Sequence, residues 1–223
     1  MNKLYPINEV FFSLQGEGEF VGDPMFFVRF AGCNLNCEFC DTDHSEKASF
    51  TELALVEELN AAYLAGSRMA RRYPPKVVCL TGGEPLLSVD GNLVRTLHLG
   101  GWLLHLETNG TMPIPKVGLF RAVTVSPKSS MNGLPHEKEL AEVVSQFLFS
   151  TIHSFCLKIV YDPQNKQLPR TIQSWGSLCW RHRFLQPLYL PDGSSNVDEV
   201  VEYIKNHPRW RLSLQTHKMI GIR

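Results

Sequence analysis

Cys33-Asn34-Leu35-Asn36-Cys37-Glu38-Phe39-Cys40, followed directly by Asp41 and Thr42, puts three thiols within eight residues, at spacings of four and three. A loop this short brings three sulfurs round one point. Three thiolates cannot all pair with one another as disulfides, and a structural zinc site takes four protein ligands. An iron–sulfur cluster held by three cysteines leaves one iron free of protein, and that iron is open to chemistry. His44, four residues past Cys40, keeps zinc open as the plainer alternative.

Upstream of this loop, Met25 to Phe30 reads as an apolar strand interrupted by Arg29. A lone arginine in such a run either meets an anion or sits at the solvent end of the strand. Ile7 to Leu14 is a further strand, ending in Gln15-Gly16-Glu17-Gly18. Two glycines round a glutamate let backbone approach a ligand while a carboxylate points at it, although a plain turn has the same composition. The glycine spacing is not that of a dinucleotide fingerprint.

Downstream, Ser49-Phe50-Thr51-Glu52 matches a capping box, and Leu53, Val56, Leu59 and Tyr63 recur at helical spacing to about Ala65. Arg68, Arg71 and Arg72 read as a solvated helix end. Lys76 to Leu80 is a short continuous apolar run, as in a parallel strand covered on both faces, and ends in Thr81-Gly82-Gly83-Glu84-Pro85. A helix over Gly91 to Leu99 leads to a strand over Trp102 to Leu106, closed by Glu107-Thr108-Asn109-Gly110. Ala122 to Val125 is a strand before Ser126-Pro127-Lys128, and a helical pattern covers about Glu137 to Phe149. Phe155 to Val160 is another strand, and weaker helical character spans Leu168 to Leu178. Phe184-Leu185 then leads to Gln186-Pro187. Val197 to Asn206 is helical, with Asn196 as cap, and Arg211 to Leu214 is the last strand, before Gln215-Thr216-His217-Lys218. Strand and helix alternate, and polar signatures fall repeatedly at strand C-terminal ends, the edge that carries the site in α/β folds.

At 223 residues the chain reads as a single domain over 1–223 with ample material for a core. Lys plus Arg and Asp plus Glu are 22 each, so the formal charge of zero argues against nucleic acid or an anionic membrane surface as partner. No apolar run approaches the roughly 20 residues that span a bilayer, and the start lacks a secretory pattern. The expected location is cytoplasmic. Cys79, Cys156 and Cys179 lie in or beside apolar runs and read as small buried hydrophobes.

With the cysteine loop and Thr81-Gly82-Gly83-Glu84-Pro85 both in view, the chain resembles the radical S-adenosylmethionine (SAM) enzymes. Leu14-Gln15-Gly16-Glu17-Gly18, Arg29, Cys40-Asp41-Thr42, Ser126-Pro127-Lys128 and Gln215-Thr216-His217-Lys218 narrow the resemblance to the 7-carboxy-7-deazaguanine synthase family of queuosine and deazapurine biosynthesis. The resemblance implies an α/β fold, a shortened partial (β/α)6 radical SAM barrel with an N-terminal strand extension, and a homodimer. It implies a [4Fe–4S] cluster on Cys33, Cys37 and Cys40, with SAM chelating the open iron. Phe39, Cys40, Asp41, Gly83, Ser126, Pro127 and Lys128 would then bind SAM, and Gly82 would line its methionine part. Thr42 would offer its hydroxyl to Mg2+, a hard cation suited to oxygen ligands.

The substrate so implied is 6-carboxy-5,6,7,8-tetrahydropterin, contracted to 7-carboxy-7-deazaguanine with loss of ammonia. Leu14, Gln15, Gly16 and Thr81 would hold the pterin and Arg29 its carboxylate, with Glu17, His217 and Arg223 on the substrate side. An external one-electron donor such as a flavodoxin would reduce the cluster. SAM cleavage would give a 5′-deoxyadenosyl radical that takes hydrogen from C6 of the pterin, SAM being regenerated. The rival readings are a glycyl-radical-enzyme activating enzyme and, from another class, a zinc-binding interaction module.

Overall fold

The computed structural model describes residues 3–69, 75–128, 153–190 and 193–223. The helix expected over Glu137 to Phe149 and the arginines Arg71 and Arg72 lie outside the described residues.

One sheet runs through the molecule. Its strands are β1 (Leu4–Leu14), β2 (Pro24–Phe30), β3 (Ala48–Thr51), β4 (Val77–Gly82), β5 (Leu103–Thr108), β6 (Phe120–Val125), β7 (Ser154–Tyr161), β8 (His182–Pro187) and β9 (Arg211–Leu212). The order across the sheet is β3-β1-β2-β4-β5-β6-β7-β8-β9. β1 pairs antiparallel with β2 and β3, and from β2 onward every neighbour is parallel. The edges β3 and β9 do not meet, so the barrel is partial, with the β3-β1 pair as the N-terminal extension. The described helices are α1 (Glu52–Met69), α2 (Gly91–Leu99), α3 (Leu168–Gly176), α4 (Val197–Asn206) and α5 (Thr216–Ile220).

The period-2 alternation of the strands sorts side chains into two compartments. Val78, Leu80, Leu104, Leu106, Val123, Val125, Leu157 and Leu185 point outward and join the main core with Leu55 and Leu59 of α1, Leu93 and Leu97 of α2, and Trp175 of α3. Burying each such side chain stabilises the fold by about 1.5–3 kcal/mol. Residues of the opposite parity face inward. There Met25, Phe27 and Cys79 pack with Phe11 and Phe20, and Phe20 lies against His105 at 4.5 Å between ring centroids. Burial pushes the His105 imidazole down to about 4, so it sits there neutral. The β1–β2 connection thus plugs the concave side of the sheet and forms the floor beneath the strand C-terminal ends.

Four local expectations are corrected. Thr51, not Ser49, caps α1: its Oγ1 accepts from Ala54 N–H, while Ser49 sits in β3, opposite Pro6. Pairing with β1 holds that segment extended and delays the helix. Asn196 makes no side-chain cap; its amide bridges the Leu188 N–H and the Tyr161 carbonyl, tying the ends of β7 and β8 together. The last strand is two residues long, and Thr216–Ile220 is helical. Cys79 and Cys156 are buried as expected, but Cys179 is exposed, lying beyond the end of α3.

Candidate active site

The cysteine loop has no regular structure of its own, so its backbone is satisfied by neighbours. Ala31 N–H donates to Pro6, Gly32 N–H to His44 and Lys47 N–H to Ile7. The β1–β2 register slips between Ile7 and Glu9, and there Asn8 donates its side-chain amide to Ser45 at 2.8 Å. From the far side, Asn34 exchanges hydrogen bonds with Asn109 and Thr111, just past β5.

The two glycines of Thr81-Gly82-Gly83-Glu84-Pro85 are there for close approach. Gly82 has φ +133°, and a Cβ on it would run into the Phe30 backbone; one on Gly83 would run into Gly32. Gly83 N–H donates to Phe30 and Glu84 N–H to Gly32, so the end of β4 lies directly against the root of the cysteine loop. Glu84 is fully buried and accepts from Leu86 N–H, the Thr108 hydroxyl and Asn109 N–H at 3.0, 2.8 and 2.7 Å. Burial pushes its carboxyl up, against the pull of those donors. Glu84 is therefore a structural staple between the ends of β4 and β5.

Cys33, Cys37 and Cys40 all face one cavity of about 480 Å³, and none is in a disulfide. Leu35 N–H donates to the Cys33 sulfur at 3.4 Å, and Cys40 N–H to the Cys37 carbonyl at 3.0 Å. Burial pushes the Cys33 thiol up, and Glu84, Cys37 and Cys40 push the same way. Among the described residues no three Cys, His, Asp or Glu side chains converge as they would round a single metal ion. All three cysteines line the cavity, and three cysteines are the donor set of a cluster that keeps one iron open.

The same cavity collects nearly every residue singled out above. Leu14, Gln15, Gly16, Glu17, Arg29, Phe39, Asp41, Thr42, Thr81, Gly83, Ser126, Lys128, His217 and Arg223 line it; Pro127 is buried but not on its wall. Arg29 donates from Nε to Glu9, its partner across the β1–β2 ladder, at 2.8 Å. The anion it meets within the chain is therefore Glu9. The Thr42 hydroxyl lies 3.4 Å from the Asp41 carboxylate. The main-chain oxygen of Arg223 accepts from the Ser13 hydroxyl at 2.6 Å.

The C-terminal segment clasps the Gly16-Glu17 turn. Thr216 donates to the Gly16 carbonyl through both its N–H and its hydroxyl, and the His217 ring occupies the space a Gly16 side chain would need. Gln215 donates to Glu17 at 2.8 Å, and Lys218 pairs with Asp41. Burial alone would raise the Asp41 carboxyl; Lys218 and Gln215 outweigh it and hold it below its ordinary value. Burial pushes the His217 imidazole down, with Glu17 opposing.

Three wall residues received no role from the sequence. Lys158, on β7, forms a buried ion pair with Glu17. Burial would lower its ammonium, but Glu107 and Glu17 hold it well above its ordinary value. Glu107, at the end of β5, accepts from Gln15 at 3.0 Å and Thr81 at 3.4 Å. Glu9, Glu17, Asp41 and Asp43 on this wall each form an ion pair, whereas Glu107 accepts from the neutral Gln15 and Thr81 and feels Lys158 only through its charge. Gln186, at the end of β8, completes the wall.

A family model for the radical SAM superfamily matches residues 27–129, the stretch from β2 through the end of β6. A 7-carboxy-7-deazaguanine synthase of Bacteroides thetaiotaomicron is 38% identical over 218 residues, 97% of this chain and 98% of that one. The enzyme of the same name from Bradyrhizobium diazoefficiens is 37% identical over 238 residues, covering 98% and 99%. The chain belongs to the 7-carboxy-7-deazaguanine synthase family of radical SAM enzymes. The crystal structure of QueE from Escherichia coli superposes with a TM-score of 0.68 at 25% identity, over 95% of this chain and 93% of that chain. Membership accounts for the cysteine loop as a cluster-binding element and leaves no role for the zinc module. Among the described residues no helix is long and apolar enough to cross a membrane.

Proposed function

We propose that this chain converts 6-carboxy-5,6,7,8-tetrahydropterin to 7-carboxy-7-deazaguanine with loss of ammonia, as a carbon–nitrogen lyase. The observation that carries the reading is one cavity with the three thiols on one side and a wall of amides and carboxylates on the other. When bound, the cluster and SAM together supply one-electron, hydrogen-abstracting chemistry; orientation and exclusion of side reactions fall to the protein.

Cys33, Cys37 and Cys40 hold the cluster, and Phe39, Asp41, Gly83, Ser126 and Lys128 bind SAM beside it. The Lys128 ammonium, pushed down by burial and by Lys158, donates to Ser126 at 2.8 Å and has donors left for a ligand acceptor. Leu14, Gln15, Gly16 and Thr81 hold the pterin. Glu107 takes its amino and ring N–H groups, since a carboxylate that accepts one bond from Gln15 and one from Thr81 keeps acceptor capacity for a donor-rich edge. Arg29 keeps guanidinium N–H groups beyond its bond to Glu9 for the substrate carboxylate. Thr42 would offer its hydroxyl to Mg2+, a hard cation suited to oxygen ligands that would supply charge stabilisation to a carboxylate substrate. His217, kept neutral, and Glu17 close the substrate side. The working unit is a homodimer reduced by an external donor such as a flavodoxin.

The deciding experiment incubates the reduced, reconstituted protein with SAM, Mg2+ and the carboxypterin and follows products by mass spectrometry. Carboxydeazaguanine formed over many turnovers without net loss of SAM is the expected result. SAM consumed in proportion to product, or no product at all, would reject it.

A further inference from the structure

Lys158 is buried on the inner face of β7, and the proposed reaction leaves it without a task. Its neighbours along the strand are Phe155, Leu157, Ile159 and Val160, so an ammonium is costly there unless anions meet it. Two do. Its Nζ is ion-paired with the Glu17 carboxylate, and Glu107 acts on it through charge from the end of β5. The Gln15 amide joins those two acids: its Oε1 accepts from Glu17 N–H at 3.2 Å and its Nε2 donates to Glu107 at 3.0 Å. Cys156 and Ser154, two and four residues before Lys158, share its face of the strand and bond to Glu19. The Glu17-Gly18-Glu19 connection is thus laid along the inside of β7 by two acidic residues. Glu19 pins it at the start of the strand, and Glu17 pins it nearer the end.

We propose that Lys158 is a positioning residue for the pterin: set between Glu17 and Glu107, its ammonium seats the Gln15-Gly16-Glu17 turn against β7 and aims the Glu107 carboxylate at the ligand's donor edge. Stability alone does not call for a charge at this position, because a buried ion pair does no better than apolar side chains of similar volume. Direction is what the pair adds. A bond between a charged donor and a charged acceptor holds the turn more firmly than a neutral contact would. Any shift of Glu17 passes through the Gln15 amide straight to Glu107. The inference rests on the pterin reading above and deepens it, since it states what holds the acceptor for the donor edge in place.

The test uses anaerobic, reconstituted holoprotein with its cluster left oxidised, so that ligands bind without turnover. Calorimetry compares the carboxypterin with its analogue lacking the 2-amino group. The wild type should prefer the carboxypterin by about tenfold or more, the worth of one hydrogen bond to a charged group. The variant is Lys158→Met with Glu17→Gln, in which no partner of the ion pair is left stranded. It should lose most of that preference while SAM affinity stays within about twofold, as for a change confined to the pterin side. Glu17→Gln alone keeps the Lys158 charge beside Glu107 and should lose less. A role in stability alone would leave the preference intact once the urea midpoint is restored. Should the double variant fail to fold, Lys158→Gln, with neutral donors, should show the same loss. An undiminished preference in the variant that folds, an equal loss in Glu17→Gln alone, or an equal loss of SAM affinity overturns the inference. A wild type that binds no carboxypterin overturns it together with the pterin reading.

Discussion

The Lys158 ammonium on β7 and the Glu17 carboxylate in the β1–β2 connection form an ion pair, with side chains 8% and 14% exposed. Breaking a buried pair by removing one partner costs far more than the pair itself contributes, because a charge is stranded. Lys158→Met should therefore destabilise the protein by about 3–5 kcal/mol in urea denaturation. Adding Glu17→Gln to that variant should recover most of the loss. A Lys158→Met protein as stable as the wild type would show that the pair is not held in the folded state.

The pH dependence of stability follows from the same pair. Glu17 and Asp41 are held below their ordinary values by Lys158 and Lys218 against the opposing effect of burial. A carboxyl depressed on folding contributes stability above its unfolded pKa, about 4, and loses it as pH falls through the folded value. Lys158 is raised on folding, so its contribution persists up to its unfolded pKa of about 10.4 and fades only above it. Urea midpoints should thus stay level from about pH 7 to pH 8, decline below about pH 6.5, where folding disfavours protonation of the buried His105 and half-buried His217, and fall most steeply below pH 4. In Lys158→Met the sign for Glu17 reverses: burial raises its carboxyl, and stability should decline as pH rises from 5 to 8.

Glu84 meets three donors with two oxygens. In Glu84→Gln the new amide NH2 must face one of those donors, and the staple between β4 and β5 opens. A loss of about 1–3 kcal/mol is expected, together with a lower yield of reconstituted iron, since both glycines at the root of the cysteine loop lean on that turn.

Gly16→Ala puts a methyl group where the His217 ring lies. The ring and the clasp of Thr216 on the Gly16 carbonyl must move. The KM for the pterin should rise at least tenfold while the Kd for SAM holds within twofold, measured by steady-state kinetics and calorimetry. Equal losses in both would place Gly16 outside the substrate side.

Thr42→Ala removes the hydroxyl that the proposed function assigns to Mg2+. Turnover should require much higher Mg2+, while SAM cleavage without substrate is spared. Identical Mg2+ titration curves in variant and wild type would remove the metal from this residue.

The cavity was legible in the sequence because its residues cluster at strand ends, marked by glycines and by abrupt changes from apolar to polar. Lys158 was not, because it sits inside the apolar run Phe155 to Val160 and its partner Glu17 lies 141 residues earlier. Lys158 is a lone cation in a buried strand, as Arg29 is, and the same physical argument applies to both: each needs an anion. Glu107 and Gln186 stand in strand-end signatures, yet which of them has an internal partner is a matter of packing. Ser49 and Asn196 misled for a related reason. Each has the composition of a cap, and each was taken up by longer-range pairing with β1 or with the end of β7, which local propensity does not record.

Pro6, Ile7, Asn8, Gly32, Glu84, Asn109 and Thr111, the residues that anchor the cysteine loop, all precede residue 112. The opposite wall depends on Lys158 and on Gln215 and Thr216, whose links to Gly16 and Glu17 span 141 to 200 residues. Contacts so distant along the chain form late. On a growing polypeptide the residues that anchor the thiols are thus all synthesised before those that complete the far side of the cavity.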